Sequence, residues 1–182
     1  MAEPYNKEKV AIAIRKSFAS TGQSVTDETI LTLVNEVENF ILSDTSNRHV
    51  ERIQDEVERS LMEHGFYAEA KNYILYRWQR TERRKALNHI VNETGDETIT
   101  DTLKGIGQDF PRNEYSLTLL AEKFSSFYKP EMTPDERLTA LIKAAVELTT
   151  QEAPDWEFIA ARLLNFQLSL SLIHISEPTR PI

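Results

Sequence analysis

A chain of 182 residues can bury one good core or two small ones. Its 29 acidic and 21 basic residues leave a formal charge of −8, which argues against a general nucleic-acid binder. Cysteine is absent, His49, His64, His89 and His174 are scattered, and only five glycines occur, so a disulfide frame, a thiolate or histidine metal cluster and a glycine-rich phosphate loop are all disfavoured.

In chain order, Asn6 can cap a helix that begins near Lys7, with Val10, Ala13, Ile14 and Phe18 on one face and Gly22 as its stop. Thr26 can cap a second helix, whose Ile30, Leu33, Val34, Val37, Phe40 and Ile41 read as core. Residues 43–48 form a polar loop. The next stretch, 50–84, reads as two helices broken at His64-Gly65. Val50, Ile53, Val57 and Leu61 mark the face of the first, and Tyr67, Ala70, Ile74 and Trp78 that of the second. The second ends in Arg77, Arg80, Arg83 and Arg84, a dense cationic tip within about two turns. Arginine suits bidentate phosphate binding, but cations near a helix C-terminus also stabilise it by themselves, so pattern alone leaves open a plain helical hairpin with a solvated basic tip.

The same stretch resembles a known family. Ile53-Gln54-Asp55, Val57-Glu58, Leu61, Gly65, Ala70, Tyr73, Tyr76-Arg77 and Arg80 are similar to the second half of an ATP-cone, the regulatory nucleotide-binding domain at the N-terminus of many ribonucleotide reductases. Glu3-Pro4-Tyr5-Asn6 and Lys9-Val10 resemble the family's first helix start. The lysine-arginine-aspartate-glycine strand that precedes it in the family does not occur here, so Met1 reads as an internal methionine with a start further upstream. The resemblance implies a nucleotide lying along Glu3, Pro4, Tyr5, Asn6, Lys7, Glu8 and Lys9, touched by Val50 at the start of the third helix and by a basic residue, Arg80, on the fourth. Lys9 and Arg80 would neutralise phosphate. Arg77 is a weaker candidate that suits helix packing, and Glu58 reads as solvated or structural.

Further on, residues 84–98 are rich in Asn, Glu, Asp and Thr and read as a linker or a frayed helix end. Residues 99–110 read as a turn of helix followed by a loop. Leu117, Leu120, Ala121 and Phe124 line a helix. Thr133-Pro134-Asp135-Glu136 is a capped start for another, lined by Leu138, Leu141, Ile142, Ala145 and Leu148. The last helix follows Pro154-Asp155 and carries Trp156, Ile159, Ala160 and Leu163 on one side. Ala153-Pro154-Asp155-Trp156 and Ala160-Ala161-Arg162-Leu163 resemble the helix leading into the catalytic barrel of the reductase large subunit. That order, and the lack of any CxxC, sets the chain apart from the transcriptional repressor that also carries a cone. Residues 168–176 alternate with period two, but Leu170 to Arg180 looks like translated sequencing adaptor and is left out of fold reasoning.

The expected fold is therefore all-α: an ATP-cone-like bundle lacking most of its β cap (1–87), a linker (88–98), a second small helical domain (99–169) and an adaptor-derived tail (170–182). The resemblance implies ATP or dATP as allosteric effectors with Mg2+, a radical-generating small subunit as partner, and homo-oligomers. The intact enzyme would reduce ribonucleoside diphosphates by cysteine radical chemistry, for which this stretch has no cysteine and hence no catalytic residue. No apolar run spans a membrane and MAEPYNKEK has no signal-peptide core, which points to the cytoplasm. Two other readings stand beside this one: a free-standing helical interaction module without nucleotide, and a fragment of the anaerobic reductase.

Overall fold

The computed structural model describes residues 5–43 and 49–176, with side chains through 172. Every regular element among them is helical: α1 Lys7–Thr21, α2 Asp27–Ser43, α3 Val50–Glu63, α4 Tyr67–Thr94, α5 Ile99–Asp109, α6 Leu117–Ser125, α7 Pro134–Glu147 and α8 Trp156–Ser176, with a single 3₁₀ turn at Asn113–Tyr115. The chain divides into two compact units, 1–79 and 80–182, and the division falls inside α4. Among the described residues no helix is long and apolar enough to cross a membrane.

In the first unit α2 packs on both α1 and α3. Val10, Ile14 and Phe18 of α1 meet Ile30, Leu33, Val34, Val37 and Ile41 of α2, Ile53, Val57 and Leu61 of α3, and Ala70 and Tyr73 of α4. These are the three- and four-residue stripes of amphipathic helices, and burying them drives the bundle together. Polar side chains then tie the helices at defined points. Thr21 Oγ1 donates to Glu69 Oε1 at 2.7 Å, Asn72 Nδ2 to Ser20 Oγ at 2.9 Å and Ser60 Oγ to Glu36 Oε2 at 2.7 Å. The corner between α3 and α4 turns at Gly65, whose φ of 81° lies in the left-handed region that a side chain disfavours. The amide of Phe66 closes this corner on the Leu61 carbonyl at 2.9 Å, and the Phe66 ring meets Phe18 edge-on at 4.9 Å.

The face of α4 differs from the one expected. Its inward line is Phe66, Ala70, Tyr73 and Arg77, not Tyr67, Ala70, Ile74 and Trp78. Tyr67 is 71% exposed and Trp78 62% exposed. Both spacings are helical, so large aromatic residues drew the expected stripe one position round the helix. Packing instead placed the small Ala70 and the buried Glu69 against the bundle.

In the second unit, residues 88–94, expected within a linker, continue α4. Ala86, Ile90 and Thr94 recur every fourth residue and are buried, and Thr94 Oγ1 satisfies itself on the Ile90 carbonyl at 2.8 Å. Composition read these residues as solvated because the buried positions are few and widely spaced. Segment 99–110 is likewise a full helix rather than one turn. Ile99, Leu103 and Ile106 are completely buried. Burying three such side chains outweighs the roughly 1 kcal/mol helix cost of each glycine. α7 packs on α8 and α6, and α5 on α8. Trp156 sits in the middle, its Nε1 donating to the Glu114 carbonyl at 2.9 Å and its ring edge-on to Tyr115 at 5.9 Å. Residues 170–176, set aside above as adaptor, extend α8, while 177–182 lie outside the described residues.

Two consequences are testable. Leu61 is fully buried, so Leu61→Ala is expected to destabilise the first unit by ~2–5 kcal/mol, read by urea unfolding. Thr133 and Glu136 form a reciprocal capping box at α7. Thr133→Ala is expected to cost about 1 kcal/mol. Hydrogen bonds from the Thr133 backbone and side chain hold the Glu136 carboxyl below its ordinary range. The stability this carboxylate adds is therefore present above the ordinary carboxylate pKa and lost as pH falls through the lowered one. In Thr133→Ala the Glu136 carboxyl is expected to titrate nearer its ordinary value, measured by NMR.

Candidate functional site

The expected nucleotide-contacting segment lies at the entrance to α1. Glu3 and Pro4 fall outside the described residues. Asn6 caps the helix, its Oδ1 accepting from the Lys9 amide at 3.1 Å. This fixes the chain direction and leaves Glu8 and Lys9 exposed in the first turn. A helix N-terminus presents unpaired amide donors and a positive dipole end, which favour an anion.

Lys7 turns the other way. Its Nζ reaches α2, donating to Asn35 Oδ1 at 2.8 Å and pairing with Glu38 Oε2 at 2.5 Å. The structure thus gives Lys7 a role in pinning the N-terminal segment to α2. Tyr5 lies half-buried against the first core. Its hydroxyl oxygen is buried and has no hydrogen-bond partner. Burial, helped by the nearby Glu38 charge, raises its pKa. A buried hydroxyl without a partner costs about 1–3 kcal/mol, which a polar atom of a ligand could recover.

Val50 opens α3 and is 46% exposed, in contrast to the other members of its stripe. An exposed valine at a helix start is available to apolar contact. Arg80 is exposed on α4, one residue beyond the first compact unit. Phe40 of α2 lies under two guanidiniums of α3, with Arg52 at 4.8 Å and Arg59 at 5.4 Å from the ring centroid.

Arg77 is not part of a solvated tip. Its Nη1 donates to Asp55 Oδ1 at 2.7 Å and to Glu58 Oε1 at 2.8 Å, joining α4 to α3. Partial burial opposes the charge, but the hydrogen bonds it donates to Asp55 and Glu58 more than compensate, so the guanidinium is held more firmly protonated than usual. Asp55 and Glu58 were legible only as members of a motif. The physical signal was their three-residue spacing on one helix, followed by an arginine on the next. Among the described residues no group of three or more side chains could hold a metal ion.

The residues of the second resemblance are structural. Ala153, Trp156, Ala160 and Leu163 are buried, and Arg162 pairs with Asp109 at 2.7 Å while lying over the Phe110 ring at 5.3 Å.

Residues 1–82 match the family model of the ATP cone domain. The chain is 45% identical over 179 residues to the ribonucleoside-diphosphate reductase subunit alpha of Treponema pallidum (strain Nichols), an alignment covering 93% of this chain and 21% of the relative. It is 31% identical over 192 residues to the subunit of that name from Chlamydia pneumoniae, covering 90% of this chain and 18% of the relative. It is 28% identical over 190 residues to that of Chlamydia muridarum (strain MoPn / Nigg), covering 88% and 18%. The chain thus spans about a fifth of the length of the curated relatives it matches. Residues 1–82 thus match an ATP cone domain, and the sequence that follows is similar to that of ribonucleoside-diphosphate reductase alpha subunits.

Proposed function

We propose that this stretch is the N-terminal regulatory part of a ribonucleoside-diphosphate reductase alpha subunit, binding ATP or dATP as effectors that set overall activity. The observation that carries the reading is the order of the two similarities: an ATP cone match over 1–82, then continuous similarity to alpha subunits through the second helical unit. We assign the cone to 1–87 and the alpha-subunit helical domain to 99–169.

In this reading the nucleotide lies along residues 3–9. The amides at the start of α1 and the Lys9 ammonium meet the phosphates, Val50 offers apolar contact and Arg80 adds charge. Mg2+ would arrive with the nucleotide, because this ion keeps several waters and takes phosphate oxygens readily. ATP and dATP differ at the ribose 2′-hydroxyl, and a site that hydrogen-bonds it can separate them. For that difference to regulate, the two ligands must favour different assemblies of the protein. The partners would be a radical-generating small subunit and further copies of the alpha chain, in the cytoplasm. The cysteine chemistry of ribonucleotide reduction would belong to other parts of such a protein, as this stretch has no cysteine.

The test is nucleotide titration. At a hundredfold excess over Kd, MgATP or MgdATP is expected to stabilise the protein by ~2.7 kcal/mol, seen as a raised Tm. Lys9→Ala and Arg80→Ala are each expected to weaken binding about tenfold or more in calorimetry, the loss of one charge-assisted phosphate contact. Unchanged affinity in both variants would remove these residues from the site. An unmoved Tm would favour the helical interaction module instead.

A further inference from the structure

The residues that carry the first resemblance include three charged ones that pair with one another. Asp55 and Glu58 lie on α3, and Arg77 on α4. A single nitrogen of Arg77 meets both carboxylates, at 2.7 and 2.8 Å. Two of the three are well shielded: the side chain of Arg77 is 26% exposed and that of Glu58 20%, against 68% for Asp55. A partly buried guanidinium nitrogen shared by two carboxylates differs from an ordinary surface pair, which contributes little.

The apolar contacts of α3 run along Ile53, Val57 and Leu61. Such contacts are non-directional and leave a helix some freedom to roll or slide on its neighbours. Hydrogen-bonded ion pairs are directional. The Arg77 contacts therefore set the rotation and height of α3 against α4. Asp55 stands five residues after Val50, so the same contacts fix where the first turn of α3 lies. At the start of α3 the cap, His49, makes no side-chain capping bond, and Arg52 lies over the Phe40 ring of α2 at 4.8 Å.

Resting on the nucleotide reading above, we infer that Arg77 is a positioning residue for the effector site. It acts through Asp55 and Glu58 on α3 and does not contact the nucleotide. Removing the guanidinium or its two acceptors then has the same effect: α3 loses its register and the ligand loses a properly placed Val50.

Calorimetric titration of the full chain with MgATP and MgdATP tests this, with circular dichroism and thermal melting as folding controls. The titrations are run well below the lowest Tm in the set. Arg77→Met and the double variant Asp55→Asn with Glu58→Gln are both expected to bind about tenfold more weakly than the parent chain. Arg77→Lys, which keeps a charge but not the planar fork, is expected to fall between. If Arg77→Met does not fold, the lysine and double variants carry the comparison. A double variant that binds as tightly as the parent or tighter, beside a weakened Arg77→Lys, makes Arg77 a direct phosphate ligand and overturns the inference. Variants that lose thermal stability but keep parental affinity reduce the ion pairs to a structural role and overturn it as well. A parent chain that binds neither nucleotide refutes the functional reading itself, and the inference with it, an outcome distinct from the other two.

Discussion

The ion pairs of Arg77 with Asp55 and Glu58 hold α3 and α4 together where apolar packing alone does not specify the fit. The inward line of α4 in the first unit is short. It passes from Phe66 through Ala70 to Tyr73 and ends on Arg77. An alanine at the centre buries little apolar area. Directional polar contacts make up the difference: Thr21 to Glu69 and Ser20 to Asn72 at the start of α4, Arg77 at the far side. The first unit thus has an apolar centre made mostly by α1, α2 and α3, with α4 attached by hydrogen bonds and ion pairs at its edges.

The second unit is built the other way. Its centre is a large aromatic group, Trp156 with Tyr115 and Phe110, and three fully buried aliphatic residues of α5 pack in the same core. Polar groups here mostly finish chain ends. Trp156 satisfies a carbonyl of the 3₁₀ turn, and the Arg137 guanidinium takes carbonyls at Glu93, Met132 and Pro130. α4 contributes to both cores, yet no residue from 74 to 85 is buried.

How much could be read in advance differs by element. The stripes of α2, α6 and α8 were legible because each carries at least three large apolar residues at helical spacing, and such faces have one place to go. The α7 start was legible because Thr133, Pro134 and Glu136 satisfy orphan amides through local chemistry alone. The inward face of α4 was not, since its true stripe contains an alanine and an arginine while its exposed side carries Tyr67, Ile74, Leu75 and Trp78. For the site, Asn6 as a cap was legible from its position. The turn of Lys7 toward Asn35 and Glu38 was not, because those partners lie 28 and 31 residues away.

The sequence by itself determined the class of structure, all-helical with two cores, and the family resemblance on which the functional reading rests. Both follow from local quantities: periodicity, capping chemistry and the identity of motif residues. Tertiary structure alone decided what those motif residues do. Asp55, Glu58 and Arg77 look equally fit for ligand, solvent or each other when written along the chain. They choose each other because folding brings α3 and α4 side by side, where a partly desolvated carboxylate and guanidinium are far better paired than apart. The same reason turns Lys7 toward α2, where it pairs with Glu38.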